Sequence, residues 1–152
     1  MAAVTIAPST EAMQAIRDRV NIGTAYGLDF SAEYTDLEID PLEIDNHLHV
    51  DIVVVDGQQL NETLDVEDPE SVTLRVWVRK KLHVDTAQED VDALKLLTRQ
   101  IFQQVNSFRT VGARVQVWES DFDEKQVPDK SILHTSLLFV ASVLFRVEVR
   151  PS

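Results

Sequence analysis

The chain of 152 residues carries 26 acidic and 14 basic side chains, a formal net charge of −12 at pH 7, and has no cysteine. This charge balance argues against sequence-independent nucleic-acid binding, which needs lysine and arginine to neutralise phosphates. The lack of cysteine excludes a disulfide framework, a cysteine nucleophile and cysteine-ligated zinc. The length predicts one domain, residues 1–152, with a core large enough to need neither disulfides nor a structural metal.

A short helix is predicted near the N-terminus, over about residues 10–21. Ser9 or Thr10 is a natural N-cap, and Glu11 suits the positive end of the helix dipole. The following acidic, extended stretch is interrupted by Pro41, which favours an edge strand or a loop.

Strands are predicted where apolar and polar residues alternate with a period of two. The four clearest examples are 47–55, 72–81, 114–118 and 134–150. In the last of these, the second phase of the alternation is apolar at Leu138, Val140 and Leu144 and then becomes polar. This change predicts a strand that is covered on both faces at its start, and therefore a central strand of the sheet.

The strongest local signal is Thr86-Ala-Gln-Glu89, which has the spacing of a capping box. Apolar residues then recur every three or four positions, which predicts a long amphipathic helix over about 87–108. Long acidic loops are predicted at about 56–71 and 119–131. The sequence therefore predicts an α+β fold, in which the long helix and the short N-terminal helix pack on a mainly antiparallel sheet.

A metal site is one hypothesis for His47, His49 and Asp51, which alternate on one face of a predicted strand and could be joined by His83 and Asp85. A polar, solvent-facing strand edge is the simpler interpretation. The acidic stretches 65–70 and 119–124 lack the glycine and the spacing of a calcium loop. The chain also has no glycine-rich phosphate loop and no glycine-flanked serine. We therefore expect no cofactor and no enzymatic activity.

Two tryptophans, Trp77 and Trp118, lie on the face of their predicted strands that is opposite the regularly spaced valines and leucine. Tryptophan at such a position is commonly a buried or interface anchor. Together with the missing catalytic motifs, they favour a protein that acts through shape and assembly.

The order of elements resembles that of the tail-terminator or tail-completion proteins of long-tailed bacteriophages. The resemblance covers nearly the whole chain. It lies in the short first helix, the strands around Asp56-Gly57, the helix TAQEDVDALKLLTRQIFQQV, the strand with Trp118, an acidic loop and the strand FVASVLFRVEV. No signature motif accompanies this topology.

The resemblance implies a structural virion protein that forms a ring, usually hexameric, capping the tail tube and docking the head. Its expected partners are further copies of itself, the tail tube protein and a head-side neck or connector protein, with no membrane. It is expected in the virion, after assembly in the host cytoplasm. DNA would pass through the ring without specific binding, and Asp121, Asp123 and Glu124 are candidates for subunit contacts or for the channel wall.

Three alternatives stay open at this stage. The first is another ring of the same neck, and the second is a small acidic adapter or chaperone-like module that binds a basic partner. The third is a metal-dependent enzyme built on the face of His47, His49 and Asp51.

Overall fold

The computed structural model describes residues 7–22, 26, 28, 30–35, 44–59, 70–106, 111, 114–122 and 127–150. Its elements in chain order are α1 (Pro8–Ile22), β1 (Glu33–Tyr34), β2 (His49–Gln59), β3 (Glu70–Lys81), α2 (Ala87–Asn106), β4 (Val115–Asp121), α3 (Lys130–Ser136) and β5 (Leu138–Val149). The strands form one sheet in the order β1-β2-β3-β5-β4. Every pairing is antiparallel except that of β1 with β2. The predicted α+β class with a mainly antiparallel sheet is confirmed.

The core lies between one face of this sheet and the helices α1 and α2. Cross-strand rows such as Ile52, Val76 and Val143 supply the sheet side of the core. The helices contribute Ala12, Met13, Ile16, Val20, Val91, Leu94, Leu97, Ile101 and Val105. Strand β5 pairs with β3 on one side and β4 on the other, so the prediction of a central strand is confirmed.

Both predicted helices form, although their first turns differ from prediction. Helix α1 begins at Pro8, so Ser9 and Thr10 lie inside the helix instead of capping it. Before α2, the Thr86 hydroxyl donates to Asp90 Oδ2 at 3.1 Å. The Asp90 amide donates to the Thr86 carbonyl, which places the two side chains one turn apart, and the Thr86 amide donates to the His83 carbonyl instead of to Glu89.

The two predicted acidic loops are shorter than expected. Strand β2 continues past Asp56-Gly57 as far as Gln59, which pairs with Glu70, and the intervening 60–69 lie outside the described residues. Strand β4 likewise continues to Asp121. The polar sequence misled the prediction because a ladder is held by backbone hydrogen bonds, which any non-proline residue can make.

The predicted strand at 134–150 begins later, because helix α3 occupies 130–136. Asp129 caps this helix by accepting from the amides of Ser131 and Ile132. Leu137 ends it in a left-handed conformation with φ of 50°, which turns the chain into β5. A capped helix of only seven residues does not interrupt the apolar pattern that follows it, so the predicted strand began too early.

The two outer long strands each contain one bulged residue. In β2, Val54 pairs with Leu74 and Asp56 with Thr73, so Val55 is extra. In β4, Trp118 is extra between Val117 and Glu119. Both bulged side chains are exposed, by 51% for Val55 and 49% for Trp118.

A bidentate ion pair ties α1 to the segment before β4. Arg114 Nε donates to Glu11 Oε1 at 3.0 Å, and Arg114 Nη2 donates to Glu11 Oε2. Both side chains are largely shielded from solvent, and the hydrogen bond to Glu11 is the main reason that the pKa of Arg114 is raised.

We expect Glu11→Gln to lower the free energy of unfolding by about 1 kcal/mol, because the charge-assisted pair is partly shielded and two-pronged. Urea denaturation at pH 7 checks this value. Asp18→Asn is the matched control, since Asp18 pairs with Arg17 on the exposed side of the same helix. Equal losses in the two variants would contradict a special role for the Glu11 pair.

Candidate subunit interface on the open face of the sheet

The face of the sheet opposite α1 and α2, called here the open face, carries a stack of cationic and aromatic side chains. On β3, Arg75, Trp77 and Arg79 alternate with the core valines and therefore point to this face. The guanidinium carbons of Arg75 and Arg79 lie 5.2 and 4.3 Å from the centre of a Trp77 ring. These distances are typical of cation–π contacts, which hold Trp77 in a fixed, half-buried position.

Beside this stack lies a concavity of about 310 Å³. Three of its lining residues, Arg75, Leu144 and Asp121, form one row across β3, β5 and β4, because both outer residues pair with Leu144. Trp77, Ser142, Val127, Asp129, Val140 and Ala141 complete the lining. The site thus offers a base, an apolar floor and an acid in that order.

Arg75 supplies a cation to this concavity, and its Nη1 donates to Ser142 Oγ at 2.9 Å. Within the described ranges, no carboxylate lies within ion-pair distance of it. Arg146, which also faces this side, donates to Glu119 at 2.8 Å. Arg75 therefore presents a half-buried positive charge that has no ion-pair partner among the described residues.

Among the described residues, α3 and the segment 127–129 cover one end of the open face. The Asp129 amide donates to the Val140 carbonyl at 3.0 Å, and the Leu82 amide donates to the Leu137 carbonyl at 2.8 Å. Leu138 and Val127 are consequently buried. The prediction that the start of the last strand is covered on both faces is confirmed.

Asp51 lies on β2 directly opposite Trp77 and is only 8% exposed. Burial raises its pKa above the ordinary 3.8, although the positive charge of Arg79 acts in the opposite direction. Its Oδ2 accepts no hydrogen bond from the part of the chain that the structure describes. The ionised form of Asp51 is therefore disfavoured by folding.

This environment predicts a pH-dependent effect of Asp51→Asn. Since the folded state binds the Asp51 proton more tightly than the unfolded state, wild-type stability falls as pH rises from 3.8 through the raised pKa. The asparagine variant lacks this loss, so its stability relative to wild type should increase over that interval and then stay constant. Urea titrations from pH 4 to 8 measure the difference. An unchanging difference would contradict the raised pKa.

The candidate metal ligands are not brought together as a group of three. Strand β2 begins at His49, so the alternation does not reach His47, whose amide donates to Asp45 Oδ1. His49 Nε2 lies 2.7 Å from Asp45 Oδ1, and this hydrogen bond is the largest reason that the pKa of Asp45 is lowered. Among the described residues, no three histidine, aspartate or glutamate side chains are grouped to hold a metal ion. His83 and Asp85 form an exposed pair of their own before α2.

The predicted contact residues fall into three groups. Trp77 and Asp121 line the same concavity. Trp118 lies away from it, in a groove of about 350 Å³ near Asn106. Asp123 and Glu124 are outside the described residues. Arg75, Leu144 and Ser142 were not predicted, and cross-strand register is the signal that unites them.

Comparisons with known proteins add no family assignment. No protein-family model matches the chain, and a search of curated proteins finds no match. None of the described helices is both long enough and apolar enough to cross a membrane.

Proposed function

We propose that the protein is a non-enzymatic structural component of the tail or neck of a long-tailed bacteriophage. Identical copies would form a hexameric ring that ends the tail tube and meets the head-side connector. The observation that carries this proposal is the open face, where an aromatic and cationic stack borders a concavity lined by three strands and by Val127 and Asp129. The order of elements supports it, since it follows the layout on which the family resemblance rests.

The open face has the composition of a protein–protein contact. Tryptophan and arginine are enriched at the centres of interfaces, where they account for much of the binding energy. Trp77 and Arg75 occur here beside apolar Leu144 and Val140. A second protein surface would desolvate this group and supply the carboxylate that Arg75 does not find within the described chain.

The net charge suits a ring that DNA must traverse. With 26 acids and 14 bases, the assembled subunits would carry a large negative charge, which disfavours tight binding of phosphates. The DNA would then pass through without specific binding. As the family resemblance implies, the tail tube protein and a head-side connector protein would be the partners at the two ends of the ring.

Native mass spectrometry over a concentration series, with and without divalent metal, tests the proposal. We expect a metal-independent particle of six times the 17.2 kDa chain mass, with a central hole in negative-stain images. A particle of six chains without a hole would contradict the ring. A monomer at every concentration that binds basic proteins would favour the adapter, and stoichiometric bound metal would favour the enzyme.

A further inference from the structure

The row Arg75, Leu144 and Asp121 has a definite length and charge order. Adjacent strands are about 4.8 Å apart, so the row spans about 10 Å across β3, β5 and β4. Perpendicular to the strands, the row runs from a basic side chain through an apolar one to an acidic one. A matching partner must present an acidic, an apolar and a basic side chain over the same distance.

The outer face of α2 presents that order. Asp92, Leu96 and Arg99 are exposed and lie at positions i, i+4 and i+7, which share one side of a helix. At 1.5 Å per residue they span about 10.5 Å. Leu96 is 55% exposed, whereas the next residue, Leu97, is fully buried.

We infer that the outer face of α2 from a second copy docks in the concavity of the open face, an inference that rests on the proposed ring. Asp92 of that copy approaches Arg75, Leu96 contacts Leu144, and Arg99 approaches Asp121. The polar outer face of a helix thus meets a concavity of complementary charge order, which would supply specificity. The two surfaces are different parts of one chain, so the contact is head-to-tail and produces a ring when the rotation closes.

Two charge-swapped variants test the contact without changing net charge. The row variant, Arg75→Glu/Asp121→Arg, reverses the two charges of the row on the open face. The helix variant, Asp92→Lys/Arg99→Glu, reverses the two charges on the outer face of α2. When either variant is present alone, like charges meet at every contact. We therefore expect its association, measured by native mass spectrometry, to be at least tenfold weaker than that of the wild type. A one-to-one mixture restores attraction at every contact, provided that the two variants alternate around the ring. The expected product is a mixed oligomer with three copies of each.

The outcomes separate the contact from the ring. If the wild type forms an oligomer and both variants form it equally well, the contact is overturned and the ring is not. The same holds if the mixture of the two variants fails to restore the oligomer. A wild-type monomer at all concentrations would overturn both. Circular dichroism of each variant shows whether its fold is retained.

A second pair of variants avoids the half-buried Arg75. Leu96→Ser removes an exposed side chain, so the monomer fold should be unaffected while association weakens about tenfold. Val84→Ser is the matched control, because Val84 is 70% exposed just before the same helix and lies outside the proposed contact. Equal association of the two variants would overturn the docking of Leu96.

Discussion

Replacing Leu97 with aspartate is expected to unfold the protein, whereas the same replacement at the preceding residue, Leu96, should leave it folded. Leu97 is 0% exposed in the core between α2 and the sheet, and Leu96 is 55% exposed. A carboxylate at Leu97 would be buried without a partner, at a cost of several kcal/mol. That cost is comparable with the total stability of a domain, about 5–15 kcal/mol.

Circular dichroism and urea denaturation of the two variants measure this contrast. At concentrations where the protein is monomeric, the Leu96 variant should retain the wild-type spectrum and lose less than about 0.5 kcal/mol of stability, as is usual for surface substitutions. The pair is matched in residue type, helix and added charge. Similar unfolding of both variants would mean that α2 does not present Leu97 to the core.

Phe145→Ala should lower the free energy of unfolding by about 3–5 kcal/mol, because it leaves a cavity in the centre of the packed face. Phe145 is 0% exposed on β5, in one row with Val54 and Leu74. The neighbouring Leu144→Ala, on the half-covered open face, should cost less than half as much. Urea denaturation of both variants measures the difference, and equal losses would show that both faces of β5 are equally packed.

Much of the fold could be predicted from the sequence, because periodicity directly reports which side chains are buried. The apolar spacing of α2 and the two phases of β5 both follow from burial on one or two faces. The errors arose where backbone geometry decides. Asp129 and Leu137 delimit a short helix through a cap and a left-handed turn, and neither feature alters the apolar pattern.

The candidate site was less predictable, because its residues come together only through strand register. Trp77 and Asp121 were identified by type and position, yet nothing in the sequence places Arg75 across from Leu144 and Asp121. The metal hypothesis, which ranked below a solvent-facing strand edge, rested on residue spacing alone. His47 and His49 have a suggestive spacing, but the strand starts too late to align them.

The bulge at Trp118 has a consequence for how β4 tolerates changes in length. Val117 and Glu119 are two residues apart, yet Val117 is in the core and Glu119 pairs with Arg146 on the open face. Trp118 is thus a one-residue insertion in an otherwise regular strand. Its deletion should close the ladder while every remaining side chain keeps its face. Deletion of Gln116 should instead move Val117 out of the core. Expression levels and thermal melts should therefore show that the chain tolerates the deletion of Trp118 better than the deletion of Gln116.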